Sequence, residues 1–226
     1  MAKLENHPTV KLMRQRMAAP PALSAQPSAE LNAAELRRMC LELGADDVGF
    51  VSIDRPELDD QRADILSFYP KTKTLVSIVS RMNRDPIRST ARSVANLEFH
   101  TVGDQINETA RAIVGKLEAL GIGAVNPAMG FPMEMDRFPG KIWVVSHKPV
   151  AVAAGLGKMG IHRNVIHPKF GNFVLLGTVL IDHILDELAG HRLIGPIIIG
   201  KDDDVQRHLD REHFEVLCLA LDSRDN

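Results

Sequence analysis

Two apolar segments, KTLVSIVSRM (73–82) and NFVLLGTVLID (172–182), constrain this 226-residue chain more than any other feature. The first is compact, apolar and β-branched, which suits a strand. The second has no polar face and reads as a strand buried on both sides. Such strands need helices on both faces, and the chain supplies candidates. LNAAELRRMCLELG (31–44) carries capping-box spacing at Asn32 and Glu35, and Gly44 stands where the helix can stop. DVGFVSI (47–53) follows as a strand, and DDQRADILSFY (59–69) as a short helix ending at Tyr69 before Pro70. Residues 93–123 read as a long helix, interrupted near Gly103, with Ile106, Ala110, Ile113, Val114 and Leu117 on the buried stripe. GAVNP is a short strand, 128–141 a loop, KIWVVSH (141–147) a strand and PVAVAAG a short helix. The fold class is α+β (α/β mixed), with one central sheet flanked by helices.

Composition bounds the rest. A formal charge of −2 gives no general electrostatic case for nucleic acid. Two cysteines, Cys40 and Cys218, exclude a disulfide framework and any four-cysteine cluster held by this chain alone. A reducing cytoplasm is the simplest compartment. Apolar runs fall short of the roughly 18 residues of a membrane span, and the N-terminus lacks a signal-peptide core. Residues 1–29 read as a flexible extension, 30–182 as the folded domain and 183–226 as an atypical tail. The apolar stretch 193–199 is a candidate homodimer contact.

AGLGKMG (154–160) spells G-x-G-x-x-G through Gly155, Gly157 and Gly160. A dinucleotide loop needs a strand before it, a helix opened by the glycines and an acid about 20 residues on. Asp182 lies 22 positions after Gly160. The preceding PVAVAA favours a helix, however, and Pro168 stops any helix that follows. The glycines then serve either close approach to a flat ligand or tight turns and packing.

The wider string SHKPVAVAAGLGKMGIHRNVIHPKFGNFVLLGTVLID (146–182) resembles the cobalamin-binding core of the epoxyqueuosine reductase and reductive dehalogenase superfamily. The matching features are AGLGKMG, Asn164, HPKFG (167–171) and LLGTVLID (175–182). The resemblance implies a nitroreductase-like fold and a base-off cobalamin against the turn. It assigns cofactor binding to Lys148, Ala154, Gly155, Leu156, Gly157, Lys158, Met159, Gly160, His162, Asn164, His167, Phe170 and Gly171. It implies reduction of a small molecule or a modified nucleoside. The 4Fe-4S clusters expected downstream have no cysteine-rich run here, so an external iron–sulfur or flavin donor would supply electrons. The tail is either a genuine replacement or the product of a truncated or shifted frame. A non-catalytic cobalamin carrier and a remnant without ligand are the alternatives.

No carboxylate lies between Lys141 and Gly160. His147, at the end of the expected strand, and Glu134 or Asp136 in the loop FPMEMDRFPG are therefore the candidate proton donors. Met129, Met133 and Met135 read as packing over a cofactor or as core. His162 and His167 lack a third ligand at zinc spacing, so no metal site is expected. Arg81, Arg84, Arg88 and Arg92 form either a phosphate-holding cluster or a solvated charge run.

Overall fold

A computed structural model describes residues 31–129 and 144–185. Helix α1 (Ala33–Glu42) starts where Asn32 Oδ1 accepts the Glu35 N–H at 2.8 Å. It stops at Gly44, at φ 110°, with the Gly44 N–H on Leu41 O and the Ala45 N–H on Cys40 O. That is the paired C-terminal bonding a left-handed residue permits. Strand β1 (Asp47–Ser52), a 3₁₀ turn (Pro56–Leu58), helix α2 (Asp59–Phe68) and strand β2 (Thr74–Arg81) follow. A single helical turn α3 (Arg84–Ile87) comes next. Helix α4 (Arg92–Ala119) runs unbroken through Gly103. The expected interruption is absent because Gly103 serves packing: a Cβ there would come 2.7 Å from Met129 Cε. Met129 packs against the core. Strand β3 (Ala124–Val125), helix α5 (His147–Ala153), strands β4 (Lys158–Met159) and β5 (Val165–Ile166), and strand β6 (Val174–Ile181) complete the described chain.

The main sheet is antiparallel, in the order β1-β2-β6-β3. Strands β2 and β6 are central, which is why their apolar runs lack alternation. One face carries Val76, Ile78, Val179 and Ile181 against α1 and α4 through Leu36, Ile106, Ile113 and Leu117. The other carries Val51, Leu75 and Leu180 against α2 and α5 through Ile65 and Val150.

On that second face lies a row of small residues. Gly49 pairs with Ser77, and Ser77 with Thr178. Helix α5 crosses this row. His147 meets Thr178, Ala151 packs with Val79, and a Cβ on Gly49 would lie 2.6 Å from Ala154 O. The helix rises about 10 Å from His147 to Ala154, which matches two strand spacings of about 4.8 Å. The short helix therefore spans three strands and needs small side chains beneath it.

The expected strand 141–147 is corrected over its described part. Residues 144–146 form no strand, and His147 opens α5. A side chain replaces the missing ladder: the Ser146 N–H donates to Gln61 Oε1 at 2.9 Å, and Gln61 Nε2 donates back to Ser146 O at 3.4 Å. Val145 is buried beside them. Residues 141–143, and most of the expected 128–141 loop, lie outside the described residues, as do the N-terminal extension and nearly all of the tail.

Candidate functional site

The glycine segment closes helix α5 and leads into a hairpin. Gly155, at φ 78°, is the left-handed residue after the helix: its N–H reaches Val152 O, and the Leu156 N–H reaches Ala151 O. The first glycine thus ends a helix, where a dinucleotide loop would open one. Gly157 sits against β5; a Cβ there would collide with the Ile166 carbonyl oxygen and lie 2.8 Å from Val165 Cγ1. Gly160 lies against the His162 ring. Asp182 is committed elsewhere. Its carboxylate accepts the Gly123 N–H at 2.9 Å. That end of β6 is remote from Val174 and Leu176, where Leu156 and Val165 pack.

Strands β4 and β5 pair as Lys158 with Ile166 and Met159 with Val165. Their loop closes when the Gly160 N–H donates to Asn164 O at 2.8 Å, with Arg163 held at φ 60°. Neither two-residue strand carries a readable period. Lys158 and Met159 are exposed, and Leu156 is buried.

Of the expected site residues, the fold joins several. Lys148 Nζ donates to Asn164 Oδ1 at 2.8 Å, which ties the start of α5 to the hairpin loop. Partial burial of the ammonium, then the Arg163 charge, hold the Lys148 pKa below the ordinary lysine value. His167 is 2% exposed and stacks on Phe170 at 4.8 Å. Its Nδ1 accepts the backbone N–H groups of Lys169 and Phe170, so Nε2 carries the proton and donates to Asp47 Oδ2 at 3.0 Å. Asp47 also accepts from Arg37 and from the Val48 N–H. Burial pushes the Asp47 pKa up, but the bonds from His167, Val48 and Arg37 outweigh it and bring the carboxyl down to about 2. Gly171, at φ 66°, returns the turn to His167 through two backbone bonds of 2.8 Å.

His147 points away from this surface. Its Nε2 donates to Ala128 O at 3.4 Å, and Nδ1 accepts from the Thr178 hydroxyl at 2.9 Å. Burial lowers its pKa to about 4, only partly countered by the Ala128 bond. Both nitrogens of this imidazole are engaged in holding α5, and the expected place of His147 at a strand end is corrected, since the residue opens a helix. Glu134 and Asp136 lie outside the described residues, as do Met133 and Met135.

The sequence reading missed Arg37, Asp47, Gln61 and Thr178. Only Thr178 carried a signal: a lone hydroxyl inside an apolar strand calls for a buried partner. Cys40 lies inside the core, and burial raises its thiol pKa to about 12, with Arg37 opposing. Among the described residues, no cluster of three or more His, Cys, Asp or Glu side chains could hold a metal. No described helix is long and apolar enough to cross a membrane.

No protein-family model matches this chain, and the search of curated proteins returns no match. Solved structures do match. A catabolic reductive dehalogenase variant aligns with TM-score 0.51 at 20% identity, over 70% of this chain and 20% of that one. A reductive dehalogenase whose structure is described in terms of B12-dependent dehalogenation aligns with TM-score 0.50 at 19% identity, over 70% and 21%. An epoxyqueuosine reductase aligns with TM-score 0.47 at 16% identity, over 66% and 45%. The chain spans less than half the length of these three structures. The described helices and antiparallel sheet have the fold of a segment of the reductive dehalogenases, and epoxyqueuosine reductases stand among the matching structures.

Proposed function

We propose that this chain is a cobalamin-dependent reductase domain of the epoxyqueuosine reductase type, fed by an external iron–sulfur or flavin donor. One observation carries the reading. Gly155 ends α5 with nothing within 4 Å of its Cβ position, in a fold shared with a protein described as performing B12-dependent dehalogenation.

The residues present fit a corrin. Gly155 and Gly171 both leave open space where a side chain would stand, so a flat ligand can approach the backbone. Lys148 and Asn164 offer an ammonium and an amide to the carboxamide arms of a corrin. Lys158, Met159 and Phe170 would line the same surface. Ala154, Leu156, Gly157, Gly160, His162 and His167 would serve it by shaping the turn and hairpin. Cobalamin, when bound, supplies low-valent cobalt chemistry, and the substrate would be an organic electrophile or a modified nucleoside. Glu134 or Asp136 would hold the proton in this reading, and His147 fixes α5 over β6.

A carrier without turnover is the second reading. The engagement of both His147 nitrogens favours it, since that leaves neither a carboxylate nor an uncommitted imidazole in 144–160.

The test is hydroxocobalamin added to the purified protein, desalted, with visible spectra before and after chemical reduction. A retained, shifted corrin spectrum is expected, weakened about tenfold in retained fraction by Lys148→Ala with Asn164→Ala, on the order of two lost polar contacts. A folded protein that retains no corrin in either redox state overturns the proposal. Retention without electron transfer to any acceptor selects the carrier.

A further inference from the structure

A cleft of about 330 Å³ opens between the end of β2 and the turn that precedes β6. Its volume is at the low end for small-molecule sites. Arg81, Met82, Asn83, Arg84, Lys169, Phe170 and Phe173 line it. Three of the seven are cationic and two are aromatic, in a chain whose net charge is −2.

The cations are not equivalent. Arg81 is held by Asp46, at 3.4 Å from Nε, and its backbone N–H donates to the same carboxylate at 2.9 Å. Glu98 accepts the Asn83 N–H at 2.6 Å. Arg84 and Lys169 face the cleft on aromatic supports. The Arg84 guanidinium lies 5.5 Å from the Phe173 ring centre, with Arg88 at 5.3 Å, and Lys169 Nζ lies 5.1 Å from the Phe170 ring centre. The Phe173 ring is 5% exposed, so it is a fixed platform. A guanidinium resting on a ring is pre-oriented. Its N–H fork can bind a phosphate, and its outer face can stack on a planar group.

We infer that this cleft binds a phosphate ester that also bears a planar ring, with Arg84 and Lys169 holding the phosphate and the outer face of the Arg84 guanidinium, backed by Phe173, receiving the ring. The cleft is larger than a lone phosphate requires, and its walls are planar. Two of its cations stand on neighbouring rings. The site does not rest on the corrinoid reading.

The experiment is isothermal titration calorimetry on the corrinoid-free protein with adenosine 5′-monophosphate, inorganic phosphate and adenosine as probes. The nucleotide should bind about tenfold more tightly than phosphate, the size of a base–aromatic stacking contribution. Adenosine should bind more weakly still. Arg84→Gln and Lys169→Gln, both at exposed positions, should each weaken the nucleotide about tenfold. Arg84→Lys, which keeps the charge but loses the planar face, should bring nucleotide and phosphate affinities together. No binding of either anion overturns the inference. Binding unchanged by Arg84→Gln and Lys169→Gln does the same. So does a phosphate affinity equal to that of the nucleotide in the unmodified protein, which would describe a bare anion site.

Discussion

The Thr178 hydroxyl donates to Nδ1 of His147 across 2.9 Å, and this bond fastens the first residue of α5 to the middle of the sheet. It also fixes the charge of the ring, since Nδ1 serves as an acceptor and Nε2 spends its proton on Ala128 O.

A pH dependence follows. The folded His147 pKa is about 4 because burial disfavours the imidazolium, whereas the unfolded value is about 6.5. Above pH 6.5 the ring is neutral in both states and folding carries no penalty. Between the two values the unfolded chain binds a proton that the folded chain refuses, so stability falls as pH drops through that window. The full loss is about 3 kcal/mol. Urea unfolding at pH 7.5, 5.5 and 4.5 should show it, and His147→Gln should flatten the slope.

Asp47 governs a lower window. Its folded pKa of about 2 lies below the ordinary carboxylate value, so its stabilisation is present above about pH 4 and is lost as pH falls toward 2. Asp47→Asn should remove this acid limb. It should also destabilise by about 2 kcal/mol, because the buried His167 N–H loses a charged acceptor. A double-mutant cycle with His167→Phe should give a coupling energy of about 1 kcal/mol or more; additive effects would show that the bond contributes nothing.

Gln61 substitutes for a strand partner. Gln61→Ala should cost about 2 kcal/mol, since the Ser146 N–H and C=O are left without their partner. Hydrogen exchange at the Ser146 amide should quicken by more than the change in global stability accounts for.

Two glycines in one motif should respond differently. Gly155 needs its left-handed φ but has open space around it, so Gly155→Ala should cost about 1 kcal/mol. Gly157 abuts backbone, which cannot yield as a flexible side chain can. Gly157→Ala should cost about 3 kcal/mol and disorder the hairpin. Thermal melts of the two variants rank them directly.

The elements readable from sequence were those whose cause is local. Asn32 and Gly44 bracket α1 by their own side-chain and backbone chemistry, and β2 and β6 are apolar because both their faces are covered. The failures have non-local causes. Val144 and Val145 look like strand residues, but a glutamine 85 residues earlier in the chain takes the place of a ladder. Gly103 looked like a break, and a methionine from another segment fills its place. Two contacts among the expected residues, Lys148 with Asn164 and His167 with Phe170, join side chains within the quoted string 146–182. The inward turn of His147 was hidden, because it depends on a threonine 31 positions away and on where the sheet puts it.

The sheet order has a temporal side. Strand β6, the last in the described chain, lies between β2 and β3, which are made long before it. Until residues 174–181 leave the ribosome, β2 has an unpaired edge and α4 has only half a floor. The hydrophobic layer can close only after β6 has been made, which makes folding of this domain slow, dominated by distant pairings and dependent on protection of that edge.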